Sequence, residues 1–203
     1  RNAALSPVVA DWVSSYQQDS SGALEELLNF VLLACGAAST DGPYRPPEGV
    51  AVGDMQEEEW AKLMKVVTED MQGVPQSGTG GVFPLAPASK GKAGKAARGF
   101  RSNYCEVFQR MTEACRDGAA HDTGILSAVA STLTSLSQQA SADVRLAATL
   151  AAMELGLGVA EGLGELNAKL AVAQRQLDGA NSASTPDKGR SKAAAAAAGG
   201  AKG

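Results

Sequence analysis

The 203-residue sequence predicts an all-α fold, and three observations support that class. Apolar residues recur every three or four positions in successive stretches, which is the period of an amphipathic helix. No stretch shows the sustained alternation of apolar and polar residues that a half-buried strand requires. Most valines and the single isoleucine, residue types that are typical of strands, fall inside the helical patterns.

Two helices are predicted near the start of the chain. Ser6 and Pro7 suit an N-cap followed by the first helical position, where the missing N–H of proline costs nothing. The two apolar stripes are Val8, Val9, Trp12, Val13 and Tyr16, then Ala23, Leu24, Leu27, Leu28, Val31, Leu32 and Cys35. Since only about four residues join them, the helices are expected to pack antiparallel, with Trp12 and Tyr16 as large plugs. Gly36 is expected to end the second helix in a left-handed turn.

A third helix is predicted after a proline-containing loop. The stretch from Asp54 to Glu57 resembles a capping box at its start. Its inner face is predicted to hold Trp60, Leu63, Met64, Val67 and Met71. From Gln72 to Ala96 the composition turns to Gly, Ser, Pro and Lys, so residues 72–96 are predicted to be a flexible basic insertion.

Further helices follow the insertion. A fourth is expected over about 97–116, a fifth with Asp122 as its cap, and a sixth from Ser141 to about Asp178. Their inward residues are predicted to be Phe100, Tyr104, Val107, Phe108, Met111, Cys115, Ile125, Leu126, Val129, Leu133, Leu136, Val144, Leu150, Leu155, Val159, Leu163, Leu166, Leu170 and Leu177. Glycines at 156, 158, 162 and 164 weaken a helix by roughly 1 kcal/mol each, so they indicate close neighbours or a bend. Residues 179–203 are predicted to be a disordered low-complexity tail.

The residues form no catalytic or metal-binding pattern. His121 is the only histidine, and the three cysteines lack the spacing of a zinc site. Cys35, Cys105 and Cys115 lie within apolar helical patterns and are expected to be small buried residues in a reducing compartment. We therefore predict no catalytic residue, metal, cofactor or small-molecule substrate, and no enzyme. Charged residues interrupt the longest apolar tract, so no membrane span or membrane partner is predicted.

One surface feature stands out against the net charge of −4. Between Ser89 and Asn103 the chain carries five positive residues and no acid; we call them the basic strip: Lys90, Lys92, Lys95, Arg98 and Arg101. Such an array suits contact with DNA phosphates without reading sequence. The alternative is a linker or nuclear-import signal on a helical scaffold that binds only proteins. Thr185, which precedes a proline, is a candidate site for proline-directed phosphorylation.

Four segments resemble the STAG domain of the cohesin SA (stromalin) family. The first, "VVADWVSSYQQDSSGALEELLNFVLLACG" (residues 8–36), has the paired Val, the Trp, the Tyr four residues later and a Leu-rich helix ending in Cys-Gly. Its "ACGAA" ending resembles members from plants and green algae. The others follow in the expected order: "FRSNYCEVF" (100–108), "LTSLSQQASADVRLAATLAAMEL" (133–155) and "AQRQLDG" (173–179). Residues 1–178 are therefore predicted to form one STAG-type domain.

The resemblance implies a HEAT-like, α-solenoid accessory subunit of the nuclear cohesin ring. Members of that family act in sister chromatid cohesion and bind the kleisin subunit, other cohesin subunits and DNA. The resemblance places the family's basic residues at Lys95, Arg98 and Arg101, and it implies a location in the nucleus, on chromosomes. Family members continue through a further domain and a long helical array, so most of the kleisin-binding surface is expected outside this chain.

Overall fold

The computed structural model is helical, as the sequence predicts. The structure describes residues 3–37, 39, 41–73, 85, 92–116 and 124–184. The helices are α1 (Leu5–Gln18), α2 (Ser20–Ala34), α3 (Glu57–Gly73), α4 (Lys92–Ala114), α5 (Ile125–Ser137) and α6 (Ala142–Ser184), with a 3-10 turn over Val52–Asp54 before α3. No strand occurs in these ranges, which confirms the all-α class.

The junction between α1 and α2 is tighter than predicted. Only Asp19 separates the two helices, because its carboxylate accepts a 3.0 Å hydrogen bond from the Gly22 N–H and starts α2 at Ser20. Gly36 has a φ of +84°, and the Ala37 N–H donates to the Leu32 carbonyl at 3.1 Å. The left-handed ending of α2 is therefore confirmed.

The prediction that Ser6 caps α1 is wrong. The helix begins at Leu5, and its N-cap residue, Ala4, makes no side-chain cap hydrogen bond. The Ser6 hydroxyl instead accepts a hydrogen bond from the guanidinium of Arg110 on α4. This contact joins the first turn of α1 to α4, which also packs against α1.

Trp12 and Tyr16 lie between α1 and its neighbours as predicted. Tyr16 is buried, and the two ring centroids are 5.8 Å apart. The indole N–H of Trp12 donates to the Ala23 carbonyl at 3.1 Å, so the half-buried ring also ties α1 to α2. A buried indole usually finds such a partner for its polar edge.

The cap of α3 lies two residues later than the sequence indicates. Residues 52–54 form the 3-10 turn, and the Gln56 N–H donates to the Glu59 carboxylate at 2.9 Å. This is the glutamate half of a capping box, and it forms at Gln56 rather than Asp54. The inner face is confirmed, with Trp60, Leu63, Met64 and Val67 buried and Met71 partly buried.

The later helices extend into segments predicted to be irregular. Helix α4 begins at Lys92 rather than near Ala97, and α6 ends at Ser184 rather than near Asp178. Alanine, lysine and arginine are strong helix formers, so α4 begins early, in sequence that is poor in core residues. The last residues of α6, 178–184, are mostly Asp, Gly, Asn and Ser, so helix propensity does not explain that end. Most of the predicted insertion and tail, and the predicted cap Asp122, lie outside the described residues. Gly124, with a φ of +69°, precedes α5.

The chain divides into two compact units, 1–162 and 163–203. The core lies in the first unit, where Phe30 stacks on Tyr104 at 5.3 Å and Tyr104 meets Phe108 edge-on at 5.2 Å. Small residues of α6 that the sequence did not single out complete it: Ala147, Ala148 and Ala151 are fully buried.

Several predicted core positions are in fact exposed. Phe100 is 37% exposed, and the apolar positions of α6 from residue 159 onward lie open to solvent: Val159, Leu163, Leu166, Leu170 and Leu177. Periodicity identifies the apolar face of a helix, but it does not say whether another element covers that face.

Helices α4 and α6 run parallel in the first unit. The Tyr104 hydroxyl donates to the Ala147 carbonyl at 3.1 Å, and the Gln109 amide donates to the Glu154 carboxylate at 2.7 Å. One turn further on, Gly158 lies against Thr112, where an added Cβ would be 2.2 Å from the threonine hydroxyl. The predicted close neighbour is confirmed at Gly158, and at Gly162 against Arg116, whereas Gly156 faces open space.

Helix α6 is long and apolar enough, over Ala142–Asn181, to cross a membrane by length and composition alone. Its first half instead fills the protein core through Val144, Ala148 and Leu155, which are buried. Such packing is expected of a core helix, and the absence of a membrane partner stays a prediction.

Candidate nucleic-acid interface

The candidate interface is carried by α4, whose two halves differ in their surroundings. The second half is anchored in the core by one apolar face: Tyr104, Phe108, Met111 and Cys115 are buried. The spacing of three or four residues keeps these side chains on one side of the helix. Residues 98–103 are exposed, so the first half of α4 extends beyond the core.

Tyr104 fixes the point where the exposed half meets the core. Its ring is fully buried between Phe30 and Phe108, and its hydroxyl is bound to the Ala147 carbonyl. Burial raises the pKa of the Tyr104 hydroxyl well above its ordinary value, with smaller contributions from Cys35 and Cys105. The hydroxyl therefore stays protonated and serves as a donor that holds α4 against α6.

The described cations of the basic strip occupy the solvent side of this exposed half. Lys95, Arg98 and Arg101 are all exposed and lie three residues apart. Over each step of three residues, the direction in which the side chain leaves the helix axis changes by about 60°, and the position along the axis advances by about 4.5 Å. The three charges therefore span about 9 Å along the axis. Lys92 is the first residue of α4, and Lys90 lies outside the described residues.

The basic strip begins at the end of α4 where the helix dipole is positive. No acidic residue occurs in the first turn, and the first acid along the helix is Glu106. Cations near a helix N-terminus are unfavourable, because they face the unpaired N–H groups. Lys95, in the first turn, therefore costs some helix stability, which a bound anion would relieve, whereas Arg98 and Arg101 lie beyond the turn where this effect acts.

Arg101 stands at the edge of a polar contact between α4 and α6. Burial raises the pKa of the Cys105 thiol to about 11, together with the charge of Glu154 and a hydrogen bond to its carboxylate, while Arg101 acts in the opposite direction. The Gln109 amide also donates to Glu154. Glu154 is thus held by α4 residues and helps to set the position of the exposed half of the helix.

The thiols are not arranged for chemistry. Burial raises the pKa of Cys35 to about 12 and raises that of Cys115 as well. The groups therefore stay protonated at neutral pH, and a protonated thiol is a poor nucleophile and metal ligand. Among the residues that the structure describes, no cluster of three or more His, Cys, Asp or Glu could hold a metal ion. His121 and Thr185 lie outside the described residues.

A shallow groove that the sequence did not indicate lies between the loop before α3 and α3 itself. Its volume is about 330 Å³, and its charged lining residues are of both signs: Asp41, Arg45, Lys62 and Asp70. Asn29 holds the loop by bonding the N–H and the carbonyl of Tyr44, each at 2.7 Å, and the Tyr44 hydroxyl donates to Asp70 at 3.0 Å. Residues so far apart in the chain carry no spacing signal, and the mixed charge gives the groove no preference for an anion.

The fold and this surface define a helical domain that presents a basic helix end. Residues 88–197, just over half of the chain, match the family described as the STAG domain. That match includes the whole basic strip.

Three curated relatives are cohesin subunits. The chain is 29% identical over 152 residues to cohesin subunit SA-1 of Xenopus laevis, covering 75% of this chain and 10% of that protein. It is 24% identical to cohesin subunit SA-3 of Mus musculus and 26% identical to that of Homo sapiens, covering 74% of this chain and 11% of each relative. The chain belongs to the STAG-domain family of cohesin SA subunits. It spans about a tenth of the length of these relatives.

Proposed function

We propose that the chain is a structural, non-enzymatic accessory component of a nuclear cohesin complex that contacts DNA through the basic strip. Membership of the cohesin SA family supports the cohesin role. The observation that carries the DNA contact is the exposed end of α4, where Lys95, Arg98 and Arg101 face solvent without an acid among them. Neither the protonated cysteine thiols nor the groove beside α3, which has lining charges of both signs, favours another function.

The geometry favours phosphate contact without sequence reading. One DNA strand carries a charge about every 3.4 Å, so cations spread over about 9 Å of helix can reach neighbouring phosphates through their long side chains. A convex helix end with few hydrogen-bonding side chains other than these cations has little means to distinguish base edges. Binding should therefore depend on salt and hardly on sequence.

The test is the salt dependence of binding to a duplex of arbitrary sequence. The variant Lys95→Gln/Arg98→Gln/Arg101→Gln removes three charges from exposed positions, so the helix should remain folded. The negative slope of log K against log salt should become shallower by about 0.9 for each phosphate that the variant no longer neutralises. Fluorescence anisotropy with a labelled duplex measures the slope.

The matched control removes three exposed cations elsewhere, as Arg45→Gln/Lys62→Gln/Lys65→Gln. This variant has the same net charge, so its slope should stay near that of the unmodified chain. Equal slopes for the two variants would contradict a local DNA site. If the strip variant lost only nuclear accumulation, the strip would be an import signal on a protein-binding scaffold.

Contact with other cohesin subunits, including the kleisin, is the second part of the proposal. It rests on family membership, and the chain is short compared with its relatives. Affinity purification of the tagged chain from dividing cells, with mass spectrometry of the bound proteins, should recover cohesin subunits after nuclease treatment. Recovery only before nuclease treatment would show that DNA bridges the association and would contradict direct binding.

A further inference from the structure

The end of α6 carries a row of large apolar side chains that are exposed to solvent. Four leucines in the second unit, 163, 166, 170 and 177, are between 54% and 62% exposed. Ala173 is exposed as well. We call these five positions the leucine seam. Leucine exposed to this degree on one helix is costly, because each such side chain gains about 1.5–3 kcal/mol when it is fully buried.

The spacing of the seam fits packing against a second helix. The steps between its members are three, four, three and four residues, and Ala180 continues the series. Over two heptads this spacing matches the repeat of a left-handed coiled coil, in which the average step of 3.5 residues keeps one narrow face toward a second helix.

The residues beside the seam determine which helix fits. The flanking positions hold Asn167, Lys169, Gln174 and Gln176, of which only one is charged. The charged residues Glu165, Arg175 and Asp178 lie on the other side of the helix by the same register. Charged flanking positions usually select a different partner, whereas neutral ones let identical helices approach without repulsion.

We propose that the leucine seam binds the same seam of a second copy of the chain, forming a parallel two-stranded coiled coil. In a parallel, in-register pair, Lys169 faces Gln174 of the second copy. An antiparallel pair centred on the seam brings the two copies of Lys169 together, which like charges oppose. The interface is separate from the basic strip and does not depend on DNA binding.

The test compares two double variants of the full chain by light scattering during size exclusion. Leu166→Glu/Leu170→Glu places two carboxylates in the seam. Ala168→Glu/Val172→Glu places the same pair, at the same spacing, on exposed positions outside it. The unmodified chain and the second variant should shift to twice the monomer mass over about a hundredfold rise in concentration, since association follows mass action. The seam variant should stay monomeric.

A second measurement detects the contact directly. A cysteine at the seam, Ala173→Cys, should form a disulfide between two copies on mild oxidation, and Ala168→Cys should not. An unmodified chain that is monomeric at every concentration would overturn the proposal. Equal behaviour of the two double variants, equal cross-linking at both cysteines, or binding of the monomer to neutral lipid vesicles through the seam would overturn it too.

Discussion

At the scale of single residues, a few buried polar groups hold the helices in place. Arg110 is an example: it binds Glu106 at 2.8 Å on its own helix and also binds the Ser6 hydroxyl of α1. Both members of this ion pair are largely covered, with side chains 14% and 12% exposed. Removal of one member would leave the other poorly solvated, which is why such pairs matter more than exposed ones.

The buried cysteines give the stability a defined dependence on pH. The pKa of the Cys35 thiol rises from 9.0 to about 12 in the folded chain, mainly through burial and also through the charge of Asp143. Above pH 9 the unfolded chain loses this proton while the folded chain keeps it, so the free energy of unfolding falls between pH 9 and about 12. Urea unfolding across this window should show the decline.

The Cys35→Ala variant isolates that effect. Its decline between pH 9 and about 12 should be shallower than that of the unmodified chain, because one raised pKa has been removed. The tyrosines are present in both proteins, so their titration largely cancels in the difference. An identical decline in both would show that Cys35 titrates normally in the folded state.

At the scale of elements, the sequence predicts the helices well and their ends less well. Leu28, Val31 and Leu32 repeat at a helical period because one face is buried, so α2 follows directly from the pattern. The start of α3 differs from the prediction because Asp54 belongs to the 3-10 turn, and only the backbone shows that a glutamate, Glu59, meets the N–H of Gln56 instead.

The basic strip can be identified from composition, but its position on an exposed helix end cannot. Charge grouping identifies Lys95, Arg98 and Arg101, yet the same composition predicts an insertion up to Ala96. Only the structure shows that the helix begins at Lys92 and that Phe100 lies outside the core. The contacts that brace the strip, such as Tyr104 with Ala147, join distant parts of the chain and leave no local pattern.

The glycines of α6 provide a matched test of helix packing. Gly156→Ala should raise the free energy of unfolding by roughly 1 kcal/mol, because the site is open and alanine favours the helix. Gly158→Ala should lower it by about 1–3 kcal/mol, since the new methyl group would lie 2.2 Å from the hydroxyl of buried Thr112. Thermal or urea unfolding measures both changes.

A compensating change tests the cause of that loss. Thr112→Ala removes the atom that the new methyl group would meet, so it should cost less in the Gly158→Ala background than in the unmodified chain. If the two costs were equal, the close approach of α4 and α6 would not explain the effect of Gly158→Ala.

At the scale of the whole molecule, stability should reside in the first unit. Among the residues that the structure describes, the buried apolar side chains, from Val9 to Leu155, all precede Gly162, and the second unit begins at Leu163. A chain ending at Gly162 should therefore unfold cooperatively, with a thermal midpoint within about 5 °C of the full chain. Circular dichroism during heating checks this, and a broad, non-cooperative transition would contradict it.

The free end of α4 has a mechanical consequence. Helix α4 is anchored in the core from Tyr104 onward and is exposed before it, so its charges are held at fixed separations before anything binds. Binding of a polyanion then orders little more than side chains. Less conformational entropy is lost than when a flexible segment becomes ordered on binding. Because Tyr104 stacks on Phe30, a pulling force on a polymer bound to α4 would be transmitted to α2 through that aromatic pair.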